Sequence, residues 1–421
     1  MCLRKLVDPN VKDTNPLRSF QERNVRVFFG GLAISSIGTW AQLTAVILLV
    51  RELGGGGLEL GIVTACQFLP TLLIGLYAGA VADRSDRHRL IMALQAAMGV
   101  QALVLAIVTF SGAATIPLVY GLTIVFGLLN AFDGPSRRTF STELVTADRL
   151  ANVLSLATSV ITGARMFGPA MAAILVAVAG PGWVFLLNGV TYLAFLFAMR
   201  RMDESRFHPL ARAPQSRTPV RDGLREVWSV PELRITVILF AVIATFAYNH
   251  LVGFPLLVTE RLMEDESLFG WLLSAMSIGN VFGSLMIARL TIVRSRWMYG
   301  SAILLSLSLA GVALSTQSVA TFLLVIPLGL AATSLNNAST ILVQQKTDDG
   351  MRSRIMALMS VLFLGSTPIG GPITGAVGDA FGAMWANLYG ALIAGAATAI
   401  ALLLTWLGRT RRSAIPQSNA S

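Results

Sequence analysis

The sequence predicts an all-α membrane protein, with twelve spanning helices in two groups of six. Three observations carry that prediction: an apolar composition, twelve stretches of spanning length, and loops whose charge alternates from side to side. Of the 421 residues, 54% are hydrophobic and 13% charged, and the mean hydropathy is +0.69. Soluble domains carry about 25% charged residues. A water-soluble fold of this length has too little interior for so much apolar surface, and the same numbers exclude disorder. Cys2 and Cys66, the two cysteines, are too few for a zinc site and too unlike in context for a bridge.

A helix needs about 20 apolar residues to cross roughly 30 Å of hydrocarbon. Residues 1–26 are a polar cytoplasmic segment without the pattern of a signal peptide, so the first span is expected to be retained. The spans of the first half are 27–50, 60–82, 90–110, 116–134, 153–179 and 183–199. A cytoplasmic linker, 200–234, carries 8 basic and 5 acidic residues and is punctuated by Pro209, Pro214 and Pro219. Within it, 220–229 reads as a short interfacial helix with Val220, Leu224, Val227 and Trp228 on one face. The second half has spans at 235–258, 268–288, 297–315, 319–342, 355–377 and 383–407, and 408–421 is a cytoplasmic tail. Only the fourth and fifth spans contain a charge: Asp133 near the end of one, Arg165 inside the other. Barrel strands would be about ten residues long with strict alternation, and no segment reads that way.

Placing the N-terminus inside puts 29 of the 32 Lys and Arg residues in seven cytoplasmic segments. The outer loops hold Arg51 and Arg261 with the acids Glu52, Glu59, Glu260, Glu264, Asp265, Glu266 and Asp379. That asymmetry puts both termini inside. It also explains the net charge of +10 without nucleic acid as a partner, because the basic residues form no single patch. Trp183, Trp271, Trp297, Trp385 and Trp406 fall at span ends, as an interfacial belt requires. Trp228 lies in the linker, and Trp40 alone is mid-span.

The halves echo each other. Gly79 and Gly283 close the second and eighth spans 204 residues apart, and Gly168-Pro169 matches Gly371-Pro372 at an offset of 203. A parallel six-plus-six repeat, here 27–199 and 235–407, is a plan of secondary transporters.

The loop between spans two and three reads Gly79-Ala-Val-Ala-Asp83-Arg84-Ser-Asp86-Arg87-His88-Arg89. Gly79 permits close helix approach, Asp83 suits the positive end of a helix, and Arg87, one turn later, reaches Asp83. The stretch resembles the G-x-x-x-D-R-x-G-x-R-R signature of the major facilitator superfamily, with Asp86 in place of the usual Gly and His88 in place of one basic residue. The Asp form resembles the branch that holds bacterial macrolide-efflux pumps and the enterobactin exporter. So do Asn130-Ala-Phe-Asp133-Gly-Pro135-Ser-Arg137-Arg138, and Tyr248-Asn249-His250 followed by Pro255. The resemblance covers essentially the whole chain. It implies the major facilitator fold and a charge relay with an acid at the cytoplasmic end of span four, here Asp133. Gly79, Asp83, Arg84, Arg87 and Asp133 are therefore the expected conformational latch. The bland alternative is that the arginines only set topology. In the second half Ile287 stands where the Asp would be, so the latch is asymmetric.

Gly163-Ala-Arg165-Met-Phe-Gly168-Pro169 in span five resembles the antiporter-type G-x-x-x-x-G-P signature and favours export. Pro169 removes a backbone hydrogen bond and kinks the helix. A mid-span Arg costs about 2.5–3.5 kcal/mol on insertion scales and needs a polar cavity or a partner. Arg165 is thus either an anion-recognising or coupling residue, or the ion-pair partner of Asp133. The resemblance further implies that spans one, four, seven and ten line a central cavity. Its expected polar lining is Trp40, Gln42, Asn130, Tyr248, Asn249, His250, Asn336 and Asn337, set in apolar walls that suit amphipathic ligands. Interhelical bonding is the competing role for each amide, and His250 is a possible proton carrier.

No phosphate-binding loop, metal-ligand cluster or hydrolytic triad occurs, so no cofactor, no metal and no enzymatic activity are expected. The sequence predicts a monomeric exporter of drug-like or siderophore-like molecules in a bacterial cytoplasmic membrane. Protons are its coupling ion, and it works by alternating access. An uptake permease of the same fold is the alternative.

Overall fold

The computed structural model describes residues 18–208, 225, 227–228, 230–290, 292–347 and 351–413. Among these, twelve helices are long and apolar enough to cross a membrane. They are α1 (Arg23–Glu52), α2 (Gly57–Arg84), α3 (Arg87–Phe110), α4 (Ile116–Glu143), α5 (Leu150–Ala179) and α6 (Pro181–Arg200). Then come α7, in two pieces, Pro231–Ala247 and His250–Leu256, α8 (Leu268–Ala288) and α9 (Ser295–Leu314). The last three are α10 (Ser318–Gln345), α11 (Arg352–Phe381) and α12 (Ala383–Ser413). Every expected span coincides with one of them, except that 297–315 runs one residue past α9 and 235–258 two residues past α7.

Three departures have physical causes. First, α4 runs on to Glu143 instead of stopping at 134. Pro135 costs one N–H but does not end the helix, because Phe140 gives the extension a buried face against Phe28, Ile91 and Phe195. Second, α7 is broken at Tyr248 and Asn249. The Asn249 side chain donates to the Thr245 carbonyl at 2.7 Å, and its own carbonyl accepts from the Val252 and Gly253 amides, so the break re-satisfies its backbone groups. Third, Val227 is fully buried beside Leu233 and Phe240 whereas Trp228 is exposed, so those two do not share an interfacial face. Val220 and Leu224 lie outside the described residues.

Gly180 and Gly382 end α5 and α11 with φ of 85° and 89°. Only glycine takes that conformation freely, so α6 and α12 start at once with reversed direction. Trp183, Trp271, Trp385 and Trp406 are exposed at helix ends, while Trp297 packs half-buried on the core.

Within the first six helices, α1 packs on α5 and α6, α3 on α6, and α2 on α4. Within the second six, α8 packs on α10, α9 on α10 and α12, and α7 on α12. The two groups meet where α2 lies along α11 and α5 along α8. We call the membrane side of Glu52, Glu266 and Asp379 the acidic side, and the opposite one the basic side.

Candidate functional site

Burial along α5 changes with depth. One face carries Pro169, Ala172 and Ala173, all buried, and toward the basic side the same face carries Leu154, Thr158, Ile161 and Arg165, all exposed. These positions recur at helical spacing, so a single stripe passes from contact into open space. On the facing helix α8, Gly270, Ser274 and Ser277 are buried, and Ser284 and Ala288 toward the basic side are exposed. The groups therefore enclose a wedge that is sealed on the acidic side and widens toward the basic side. Arg165 is the last open residue on its stripe, at the apex.

Three features place Arg165. Gly168 lets α5 lie on α1: a Cβ there would sit 2.9 Å from the Ile37 carbonyl and 2.5 Å from Trp40 Cβ. That approach brings the Trp40 ring beneath the guanidinium, 5.0 Å from ring centre to Cζ. From α8, the Ser277 hydroxyl donates to the Arg165 carbonyl at 3.1 Å, and Ser274 donates to the Met166 carbonyl at 2.8 Å. A cation–π contact contributes about 0.5–2 kcal/mol, less than the insertion cost of a mid-span Arg, and the open wedge supplies the rest through solvent. Asp133 is not its partner.

Asp133 is fully buried on α4, bonded to Arg137 at 2.5 Å and accepting from Gln95 at 2.8 Å. In this conformation it pairs with Arg137 and not with Arg87. The acid that meets Arg87 is Glu143, on the extension of α4 that the span boundary at 134 cut off. Arg87 also lies 3.5 Å from Asp83. Asp86, the residue that departs from the signature, caps α3 by accepting from the Arg89 amide at 3.1 Å. Gly79 and Gly163 meet nothing within 4 Å of where a Cβ would stand, so Gly79 does not make the expected close approach in this conformation. Arg84 is exposed.

The cavity candidates divide. Gln42 is buried in an amide chain, donating to Gln101 at 3.0 Å and accepting from Asn188 at 2.8 Å, which removes it from the lining. Tyr248 donates to the Ala332 carbonyl at 2.9 Å. His250 is buried against Phe254. Trp40, Asn130, Asn336 and Asn337 are half-buried on α1, α4 and α10.

Sequence reasoning missed the acidic-side seal. Asp379 of α11 accepts from the Gly57 and Leu58 amides at 2.6 and 2.8 Å, capping α2 across the two groups, where the first helical N–H groups lack partners. Arg51 donates to Thr259 at 2.9 Å and lies 3.8 Å from Glu266. Burial pushes the Glu266 carboxyl above its ordinary value; Arg51 opposes this in part and Asp265 adds to it. These acids were legible only as a count in the outer loops.

Twelve spanning helices in two packed groups, with a one-sided cavity between them, define a membrane transporter rather than an enzyme. Residues 14–420 match the transmembrane secretion effector family, and the chain belongs to that family of the major facilitator superfamily. It is 24% identical over 370 residues to the staphyloferrin A transporter of Staphylococcus aureus, covering 85% of this chain and 90% of that one. It is 28% identical over 381 residues to the multidrug efflux pump Tap of Mycolicibacterium fortuitum, covering 85% and 89%. Among solved structures, an inward-facing, occupied bacterial homologue of the lysosomal transporter Spinster superposes with a TM-score of 0.71 at 14% identity, over 93% of this chain and 97% of that one. An inward-facing bacterial homologue of ferroportin gives 0.68 at 15% identity, over 90% and 98%. At such identity these two speak for the fold alone. The chain is a multi-pass protein of the bacterial inner membrane.

Proposed function

We propose that this transporter exports drug-like or siderophore-like molecules from the cytoplasm in exchange for protons, acting as a monomer. The observation that carries the reading is the wedge, open to the basic side alone. With 29 of 32 Lys and Arg residues in the loops of that side, the positive-inside rule makes it the cytoplasmic face. Both termini then lie inside, and the structure is the loading state of an exporter. The two bundles, 27–199 and 235–407, rock about α2–α11 and α5–α8. Asp83, Arg84 and Arg87, with Glu143 supporting Arg87, form the cytoplasmic latch of the opposite state, in which Gly79 gains the close neighbour it lacks here. The relative named as a multidrug efflux pump supports export over uptake, and the one named for staphyloferrin A supports a siderophore-like substrate.

Everted vesicles test this. With the lumen acidified, adding an export substrate drawn from a panel of drugs and siderophores should release protons, and a protonophore should abolish the response. Gradient-driven accumulation in right-side-out vesicles, with no release in everted ones, would make it an uptake permease.

A further inference from the structure

We infer that the substrate is an organic anion, seated with a carboxylate on Arg165 and a planar apolar body against Trp40; this rests on the transport reading above. Within the sequence-defined spans the only charges are Asp133 and Arg165. Asp133 is fully buried and neutralised by Arg137, one turn away on its own helix. Among the described residues no acid pairs with Arg165, which is exposed at the apex of the wedge. The mid-depth cavity therefore carries one positive charge and no negative one. Low-dielectric walls strengthen the pull of that charge on an anion.

The chemistry of the group narrows the class. A guanidinium offers N–H donors in a planar fork that matches a carboxylate bidentately. Its backbone is fixed from α8 through Ser274 and Ser277, so the fork is presented by a rigid element rather than by a mobile loop. The Trp40 ring centre lies 5.0 Å from Cζ, so an aromatic surface stands beside the donor fork. A ligand that stacks on the indole while its carboxylate meets the fork uses both groups at once. A cationic ligand of the same shape would be repelled from the apex.

The test uses the full chain in phosphatidylcholine nanodiscs and two dyes with one ring system: anionic 6-carboxyfluorescein and cationic rhodamine 123. Fluorescence polarisation should show the unaltered protein binding carboxyfluorescein more tightly. Arg165→Ala should weaken that binding at least roughly tenfold, the loss expected for a charge-assisted hydrogen bond, and leave rhodamine 123 unchanged or tighter. Arg165→Lys, which keeps the charge and the fold, should fall between. Trp40→Leu should weaken both dyes, and Trp40→Phe neither. Absence of carboxyfluorescein binding by the unaltered protein would overturn the inference, as would binding by Arg165→Ala within twofold of it. Binding needs no gradient. Discrimination without vesicle transport would therefore sink the transport reading alone, and transport indifferent to Arg165 would sink only the anion.

Discussion

At the scale of single residues, the latch acid makes the sharpest prediction. The side chains of Arg87 and Glu143 are 11% and 9% exposed, whereas that of Asp83 is 40% exposed. Removing one partner of a buried pair costs about 3–5 kcal/mol, and an exposed pair is worth at most about 1 kcal/mol. Glu143→Gln should therefore lower the melting temperature of the purified protein clearly more than Asp83→Asn. Equal effects would show that Glu143 is not the principal partner. Asp133 and Arg137 obey the same logic. Asp133→Asn alone strands a charge on α4, and adding Arg137→Gln should recover part of the lost stability, a coupling that a double-mutant cycle reads directly. Sequence reasoning found Asp83 and Arg87 because an i, i+4 pair is visible in one dimension. Asp133 is the acid at the apparent end of span four. Glu143 was hidden by Asp133-Gly134-Pro135, which reads as a helix stop; only the buried face carried by Phe140 shows that the helix continues.

At the scale of elements, the ends of α2 and α11 form the acidic-side seal, and it should respond to pH. In the closed seal, burial holds the Glu266 carboxyl above its ordinary value. Opened to water it returns to the ordinary carboxylate range, near 4.3 for Glu. The closed state thus binds the proton more tightly. Its extra stability is full below the ordinary value and is lost as pH rises through the raised one. Lowering the pH on that side toward the carboxylate range should therefore close the seal, measured as slower alkylation of a cysteine placed at Thr259. Glu266→Gln should weaken that dependence, leaving the part carried by Glu52, which burial also raises. Faster alkylation in acid would contradict the sign. Helix existence was plain in the sequence, because twelve apolar stretches of spanning length admit no other reading. The broken α7 is less so: Tyr248-Asn249 lies inside the charge-free run 235–258, and what stabilises the break is Asn249 bonding to backbone on both sides.

At the scale of the whole molecule, the repeat and the charge asymmetry made the two-group transporter legible before any contact was known. The conformation was not legible, because which ends of α2, α5, α8 and α11 touch is a tertiary fact without a local signature. Arg165 illustrates both sides of this. Its cost in a membrane marked it as exceptional, yet its neighbour Trp40 and the open wedge emerge only from the packing of α1, α5 and α8. The proposed alternating access joins the two membrane faces: whatever opens the acidic-side seal must close the basic side. The most direct measurement is electron–electron distance spectroscopy on two spin-label pairs, in a background with Cys2→Ser and Cys66→Ala. One pair replaces the exposed Arg89 and Arg294 on the basic-side ends of the two groups, and the other replaces Thr115 and Gln317 on the acidic-side ends. Asp379→Asn, which weakens the cap on α2, should lengthen the acidic-side distance and shorten the basic-side one in the same preparation. An acidic-side distance that lengthens while the basic-side distance stays fixed would contradict the rocking of two rigid groups.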